Sequence, residues 1–283
     1  MVERLRRFLG FIRFSHTIFA MPFALGSMFV AAGGWPSARV GGLVILAMVF
    51  ARTAAMAFNR LADWEIDRRN PRTEGRHRLV SRQTAIVGWV VSSVAFVVTA
   101  AAINFVCFVL SPVALGLVFF YSLTKRLTHA AQFFLGLALA VAPVGAWLAV
   151  TGSLAWPPLV LALGVLLWVA GFDMIYATQD VEVDRREGLR SMVVALGVPG
   201  ALRAAGWCHA GTWVALVVFG WLAGLGWIYA LGMVVVLGLL IHEHRVARSR
   251  ELARINAAFF QANAWVGGIF LVSVMAAVLT GRS

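Results

Sequence analysis

Five aspartates make up the whole Asp content of the chain, and all of them lie in two short segments. The first runs Asn59-Arg60-Leu61-Ala62-Asp63-Trp64-Glu65-Ile66-Asp67. The second starts at Asp173 and continues through Tyr176 and Asp180 to Asp184. At 3.6 residues per turn, Asn59, Asp63 and Asp67 share one helical face, with steps of about 6 Å between them. Spacings of seven and four place Asp173, Asp180 and Asp184 within about 40° of one another on a helix. Stacked like charges repel, so two such stripes need a compensating cation. Hard divalent cations supply it, and Mg²⁺ prefers a few carboxylates completed by water and by phosphate oxygens. Two carboxylate stripes therefore fit a Mg²⁺–diphosphate complex.

Cations surround both segments. Arg68, Arg69, Arg72, Arg76 and Arg78 follow the first, Arg185, Arg186 and Arg190 follow the second, and Lys125 with Arg126 lies between them. The plain alternative is that these are topology-setting charges; for Lys125 and Arg76, which topology brings beside the carboxylates, anion binding is the sharper reading. Arg52 is a separate anomaly. It sits seven residues before Asn59, on the same face, inside an apolar run. A guanidinium at that depth is costly unless paired, so it marks a functional site or a structural partner for a buried acceptor.

The elements that must hold these residues are membrane helices. Of 283 residues 61% are hydrophobic and only 13% charged, with a mean hydropathy of +0.86. That is too little polar surface for a soluble domain. Apolar stretches of span length recur near 14–33, 41–66, 83–104, 107–124, 130–151, 157–179, 202–221, 225–242 and 256–279. Spans in hydrocarbon must satisfy their own backbone, which makes them α-helices. No cleavable signal peptide is evident at the start. The net charge of +12 comes from 23 Arg and one Lys clustered on every second connection, while the intervening connections carry only Arg39. This is the positive-inside pattern, with the N-terminus and basic loops cytoplasmic, in the cell membrane. Trp35, Trp156, Trp221 and Trp227 lie at the charge-poor ends, as an aromatic belt does. The basic balance thus records topology and argues against nucleic acid. Cys107 and Cys208 match no zinc or redox spacing. In His242-Glu243-His244, neighbours at i and i+2 do not face each other, so a polar helix end reaching for the interface is expected there.

The two stripes also repeat. Asn59, Asp63 and Asp67 correspond to Tyr176, Asp180 and Asp184 at a constant offset of 117 residues and four spans. An even number of spans preserves orientation, so both stripes open on one face. The expected fold is all-α: a single polytopic domain over 1–283, with about nine transmembrane helices. Two four-helix repeats, approximately 14–124 and 130–242, plus one helix surround a central cavity. An ion-coupled secondary transporter would also use intramembrane carboxylates and a repeat. However, its sites lie near the midplane on matched broken helices, and these Asp residues lie at span ends.

Asn59-x3-Asp63-x3-Asp67, followed by Asn70-Pro71-Arg72-Thr73-x2-Arg76, resembles the first signature of UbiA-type aromatic prenyltransferases. Tyr176-Ala177-x2-Asp180-x3-Asp184-x3-Gly188-x2-Ser191 resembles the second, and Tyr121-Ser122-x2-Lys125-Arg126-x-Thr128-His129 resembles the central loop between them. The runs Arg13 to Leu25 and Arg254 to Asn263 are similar to the 4-hydroxybenzoate polyprenyltransferase-like branch. That branch includes the futalosine-route menaquinone enzymes acting on 1,4-dihydroxy-6-naphthoate, the subgroup favoured over the ubiquinone enzymes. Arg60 departs from the acidic or small residue of many members, and Arg190 from a frequent Lys. The resemblance implies Mg²⁺-dependent transfer of a polyprenyl group from its diphosphate to an aromatic acid in quinone biosynthesis. Asn59, Asp63, Asp67, Asp180 and Asp184 would hold the metal, with the four aspartates catalytic. Lys125, Arg72, Arg76, Arg126, Tyr121 and Arg190 would hold the diphosphate, and Arg52, Asp173 and Tyr176 the acceptor. The bilayer is the implied partner, with no obligatory protein partner. Homogentisate, haem, chlorophyllide and glycerol phosphate lipid are the family's other acceptors.

Overall fold

The computed structural model describes residues 10–11, 19–69, 79–248 and 252–281. Its long helices are α1 (Met21–Ala32), α2 (Ala38–Ala62), α4 (Arg82–Ile103), α5 (Phe105–Leu127), α6 (Ala131–Thr151), α7 (Trp156–Ala177), α9 (Met192–Leu222), α10 (Trp227–Arg248) and α11 (Leu252–Leu279). Two six-residue helices, α3 (Trp64–Arg69) and α8 (Val181–Arg186), follow α2 and α7. Among the described residues, eight helices are long and apolar enough to cross a membrane, and α1 is a shorter apolar helix. The first expected span begins at 14, but 12–18 lie outside the described residues. No strand occurs among the described residues, so the all-helical polytopic fold is as the sequence implies.

Short polar residues start the helices where the chain leaves the apolar layer. Ser37, Ser81, Asn104 and Ser191 each accept a backbone N–H three residues on, from Val40, Thr84, Cys107 and Val194 respectively. Each satisfies one of the unpaired donors at a helix N-terminus. The span expected over 202–221 belongs to α9, in which a short helical stretch from Met192 precedes it. Gly197 kinks the chain between that stretch and the span with φ 68° and ψ 168°, a backbone state open to glycine and strained for other residues.

Helices adjacent in sequence pack side by side from α4 to α11. The circuit closes as α2 packs on α4 and α1 lies against both α6 and α11. The core sits among α1, α7, α9, α10 and α11. There Phe23 lies 4.9 Å from Trp168 and 4.8 Å from Phe270 between ring centres. Outward-facing Val and Leu residues stay exposed, as lipid-facing residues do. Trp35, Trp156, Trp221 and Trp227 are 67–78% exposed, as aromatic-belt residues are.

The expectation for His242-Glu243-His244 holds only in part. His242 faces outward, but Glu243 is buried and accepts from Asn263 Nδ2 at 3.3 Å. His244 Nε2 stands 3.0 Å from Nδ1 of the buried His209. Instead of reaching the interface, this end of α10 joins a polar cluster with α9 and α11. Helix periodicity hid the cluster because its partners come from other spans.

One glycine sets the approach of α6 to α7. A Cβ at Gly136 would overlap the Leu166 carbonyl oxygen, a backbone atom that cannot swing away. Gly136→Ala should therefore push apart the helices that carry the cavity wall and the second Asp segment, at a cost of about 1–3 kcal/mol. Thermal unfolding in detergent reads this directly; an unchanged melting temperature would mean that the crossing yields without cost.

Candidate functional site

The first Asp segment spans a break rather than one helix. α2 ends at Ala62, and Asp63 caps it with φ −94° and ψ 12°. The ladder survives the break: Asp63 N–H donates to Asn59 O at 3.0 Å, and Asp67 N–H to Asp63 O at 2.7 Å. Asn59 Nδ2 stands 3.5 Å from Asp63 Oδ2. Arg126, arriving from the end of α5, donates to the Ala62 carbonyl and lies 3.4 Å from Asp63 Oδ1. It thereby satisfies an end carbonyl of α2 and neutralises its cap. The turn also brings Asp67 back to Arg60, whose Nη1 meets Asp67 Oδ2 at 3.2 Å. Both side chains are almost fully buried, 8% and 13% exposed. Burial and then the charge of Asp67 push the Asp63 carboxyl above the usual carboxylate range, against the pull of Lys125, Arg126 and Arg60. A site that raises a carboxyl in this way favours a cation.

The second segment breaks in the same place. α7 ends at Ala177, and three successive i to i+3 bonds, Thr178 to Ile175, Gln179 to Tyr176 and Asp180 to Ala177, tighten the chain. Asp184 N–H then donates to Asp180 O at 2.8 Å within α8. The single-helix geometry expected for Asp173, Asp180 and Asp184 is thus replaced by a helix, a tight turn and a second short helix. Asp184 ends up 3% exposed. α3 and α8 are themselves offset by 117 residues, the spacing of the two motifs.

The α5–α6 connection ties the two segments together. Arg190 N–H donates to the Lys125 carbonyl at 2.7 Å, and its Nη1 to the Leu127 carbonyl at 2.9 Å. Arg190, expected at the diphosphate, uses this nitrogen to cap α5. Lys125 itself points inward, where its ammonium interacts with Asp184, Asp173, Asp180 and Asp63. One lysine therefore stands between the two carboxylate groups. Tyr121, one turn earlier on α5, lies within the field of Arg52, Arg60, Asp63 and Asp173. Tyr176 packs against the main core. Arg72 and Arg76 lie outside the described residues.

Beneath this polar layer is a cavity of about 460 Å³. α2, α4, α5, α6 and α7 line it, largely with alanine and with branched aliphatic residues; Arg52 and Tyr121 are among its few polar groups. On α5 the lining extends from Cys107 to Tyr121, about 21 Å of helix. Sequence reasoning missed Arg60 as a site residue, because burial and the return of Asp67 after the break depend on the turn at Asp63.

No three His, Cys, Asp or Glu side chains among the described residues stand close enough to hold a metal ion unaided. The donor set is nevertheless all-oxygen, from Asn59, Asp63, Asp67, Asp180 and Asp184. That suits Mg²⁺, which keeps open positions for water and substrate phosphate. The residues fit the ion as a metal–phosphate site and not as a closed protein cage.

The UbiA prenyltransferase family profile matches residues 20–274. The chain belongs to that family. It is 30% identical over 260 residues to a 4-hydroxybenzoate octaprenyltransferase of Nitrosomonas europaea, covering 89% of this chain and 86% of the relative. An apo UbiA homologue from Aeropyrum pernix K1 superposes with a TM-score of 0.84 at 30% identity, covering 93% of this chain and 98% of the other. A UbiA homologue from Archaeoglobus fulgidus bound to DMAPP and Mg²⁺ shares the fold, with a TM-score of 0.63 at 20% identity over 93% and 99% of the two chains. As a UbiA-family protein, the chain is a prenyltransferase with a polytopic helical membrane fold.

Proposed function

We propose that this prenyltransferase moves a polyprenyl group from polyprenyl diphosphate to a ring carbon of an aromatic acid, 4-hydroxybenzoate or 1,4-dihydroxy-6-naphthoate, in quinone biosynthesis. The observation that carries the proposal is Lys125, whose ammonium interacts with aspartates of both carboxylate segments, one helical turn beyond Tyr121, which lines an apolar cavity together with Arg52. The Archaeoglobus fulgidus homologue, bound to DMAPP and Mg²⁺, supports a donor of this class. The named relative supports 4-hydroxybenzoate, and the flanking sequence motifs support the naphthoate.

In this reading the allylic C–O bond of the donor breaks, and its electron pair leaves with the diphosphate. A ring carbon of the acceptor supplies the pair for the new C–C bond, and the ring then releases a proton. When bound by Asn59 and the four aspartates, Mg²⁺ neutralises charge on the departing diphosphate. Lys125 and Arg126 add fixed positive charge where that group develops, preorganised by the α5 cap and the Asp63 contact. The apolar cavity takes the prenyl tail and keeps water from the allylic cation. Arg52 meets the acceptor's carboxylate, with Asp173 and Tyr176 completing that side. The alternation of basic loops supports a site at the cytoplasmic face of the cell membrane.

The test supplies membranes carrying the protein with a labelled polyprenyl diphosphate, Mg²⁺ and the two acceptors in parallel. Prenylated product should form with one of the acids, disappear on treatment with EDTA and return with Mg²⁺ or Mn²⁺ but without any need for Zn²⁺. Transfer that survives exhaustive chelation, or no transfer to either acid, would overturn the proposal.

A further inference from the structure

Among the described residues, Arg60 is the one cation inside the site to which neither the sequence motifs nor the proposed function gives a role. It belongs to the last turn of α2 and is 7% exposed, so it is no interface-seeking loop arginine. Nη1 is held by Asp67 Oδ2 at 3.2 Å. Nε is enclosed and has no hydrogen-bond acceptor among the described residues. A guanidinium carries five N–H donors in a fixed fork, and a buried donor without an acceptor is costly. The electrostatic surroundings sharpen the point. Arg60 lies close enough to Arg52 to repel it, while Lys125 and Arg126 act on the same Asp63 that Arg60 does. Asp67 occupies only one edge of the guanidinium, so the enclosed Nε is left to an acceptor that arrives with the metal among these carboxylates.

We propose that Arg60 is a diphosphate contact, bridging Asp67 and the donor: Nη1 stays on the carboxylate while Nε donates to a phosphate oxygen. The inference rests on the prenyltransferase reading and adds a residue to it. Depth assigns the anion. Arg60 stands at the level of Asp63 and Asp67, whereas Arg52 lies eight residues, about 12 Å, deeper on α2. Arg60 therefore meets the diphosphate, and Arg52 meets the acceptor. Its guanidinium then offsets charge as diphosphate departs, alongside Lys125.

The experiment uses purified full-length protein in nanodiscs and two binding measurements. One is Mn²⁺ binding alone, followed by electron paramagnetic resonance; the other is calorimetric binding of inorganic diphosphate with Mg²⁺. Arg60→Lys keeps a charge that can reach Asp67 but has no Nε donor in the fork. It should leave Mn²⁺ affinity within about threefold while weakening diphosphate by about 10- to 100-fold, the worth of one charge-assisted hydrogen bond. Arg60→Met, if it folds, should weaken diphosphate further. Parallel losses of Mn²⁺ and diphosphate affinity would mean that Arg60 only orients Asp67, and the proposal falls. Wild-type diphosphate affinity in Arg60→Lys also overturns it. A wild-type protein that binds no diphosphate at all removes the prenyltransferase reading itself, an outcome visible without any Arg60 variant.

Discussion

Asp63→Asn and Asp180→Asn should each give a folded, membrane-inserted protein whose kcat/KM at limiting Mg²⁺ falls by about a thousandfold or more. Each change removes one negative charge from one of the two carboxylate segments, and metal stabilisation of a leaving group is worth several kcal/mol at tenfold per 1.36 kcal/mol. The fold should tolerate both. Asparagine is isosteric with aspartate and accepts the cap conformation that Asp63 holds at the end of α2, φ −94° and ψ 12°. Asp180 similarly occupies the N-cap of α8, where asparagine is as good a residue. Arg126 keeps its bond to the Ala62 carbonyl, so the α5 end stays docked when the Asp63 charge is gone. Product formation in a membrane assay, with thermal unfolding as the fold control, decides the outcome. Wild-type turnover by either variant would end the metal assignment for that segment.

The parts of this protein legible in its sequence are those set by composition and short-range spacing. Nine apolar stretches, the alternation of arginine clusters and five aspartates in two segments all follow from what a bilayer tolerates. The parts that were hidden depend on where a helix stops. Asp63 and the turn 178–180 end α2 and α7 inside what reads as continuous helical periodicity, since Asp67 and Asp184 resume an i to i+4 bond immediately afterwards. That break helps Arg60 reach Asp67, a pairing that an intact helix, with about 10.5 Å of rise between the two, disfavours. Arg190 was readable as a cation near the site, but not as the cap of α5, because its acceptor at Leu127 lies 63 residues away. His209 with His244, and Glu243 with Asn263, were hidden for a related reason. Within α10 alone the polar residues look like a helix end, and only the neighbouring helices turn Glu243 inward. The cavity, too, is a property of packing: many small alanines on five helices leave room that no single helix displays.

Arg52 should separate acceptor binding from donor binding more cleanly than any other residue of the site. It lines the apolar cavity near Tyr121, and its Nε has no acceptor among the described residues. A charged group so placed is tolerable only with an anionic or hydrogen-bonding partner. The carboxylate of a benzoate or naphthoate matches the guanidinium through two parallel hydrogen bonds and leaves the reactive ring carbon turned toward the allylic cation. Arg52→Lys keeps the charge and loses the fork; Arg52→Met loses both. Acceptor KM should rise by about tenfold for Lys and about a hundredfold for Met, with metal-dependent binding of prenyl diphosphate unchanged. A phenolic acceptor without an acid group supplies the control. If Arg52 reads the carboxylate, wild type and Arg52→Met should use that phenol with similar KM, because neither makes the lost contact. If Arg52 instead only braces α2 against its neighbours, the variants should insert poorly and lose acid and phenol alike. A well-folded Arg52→Met with the normal KM for the acid would remove Arg52 from the acceptor pocket. The anion between the site's cations would then be the diphosphate alone, with Arg60 and Lys125 its nearest partners.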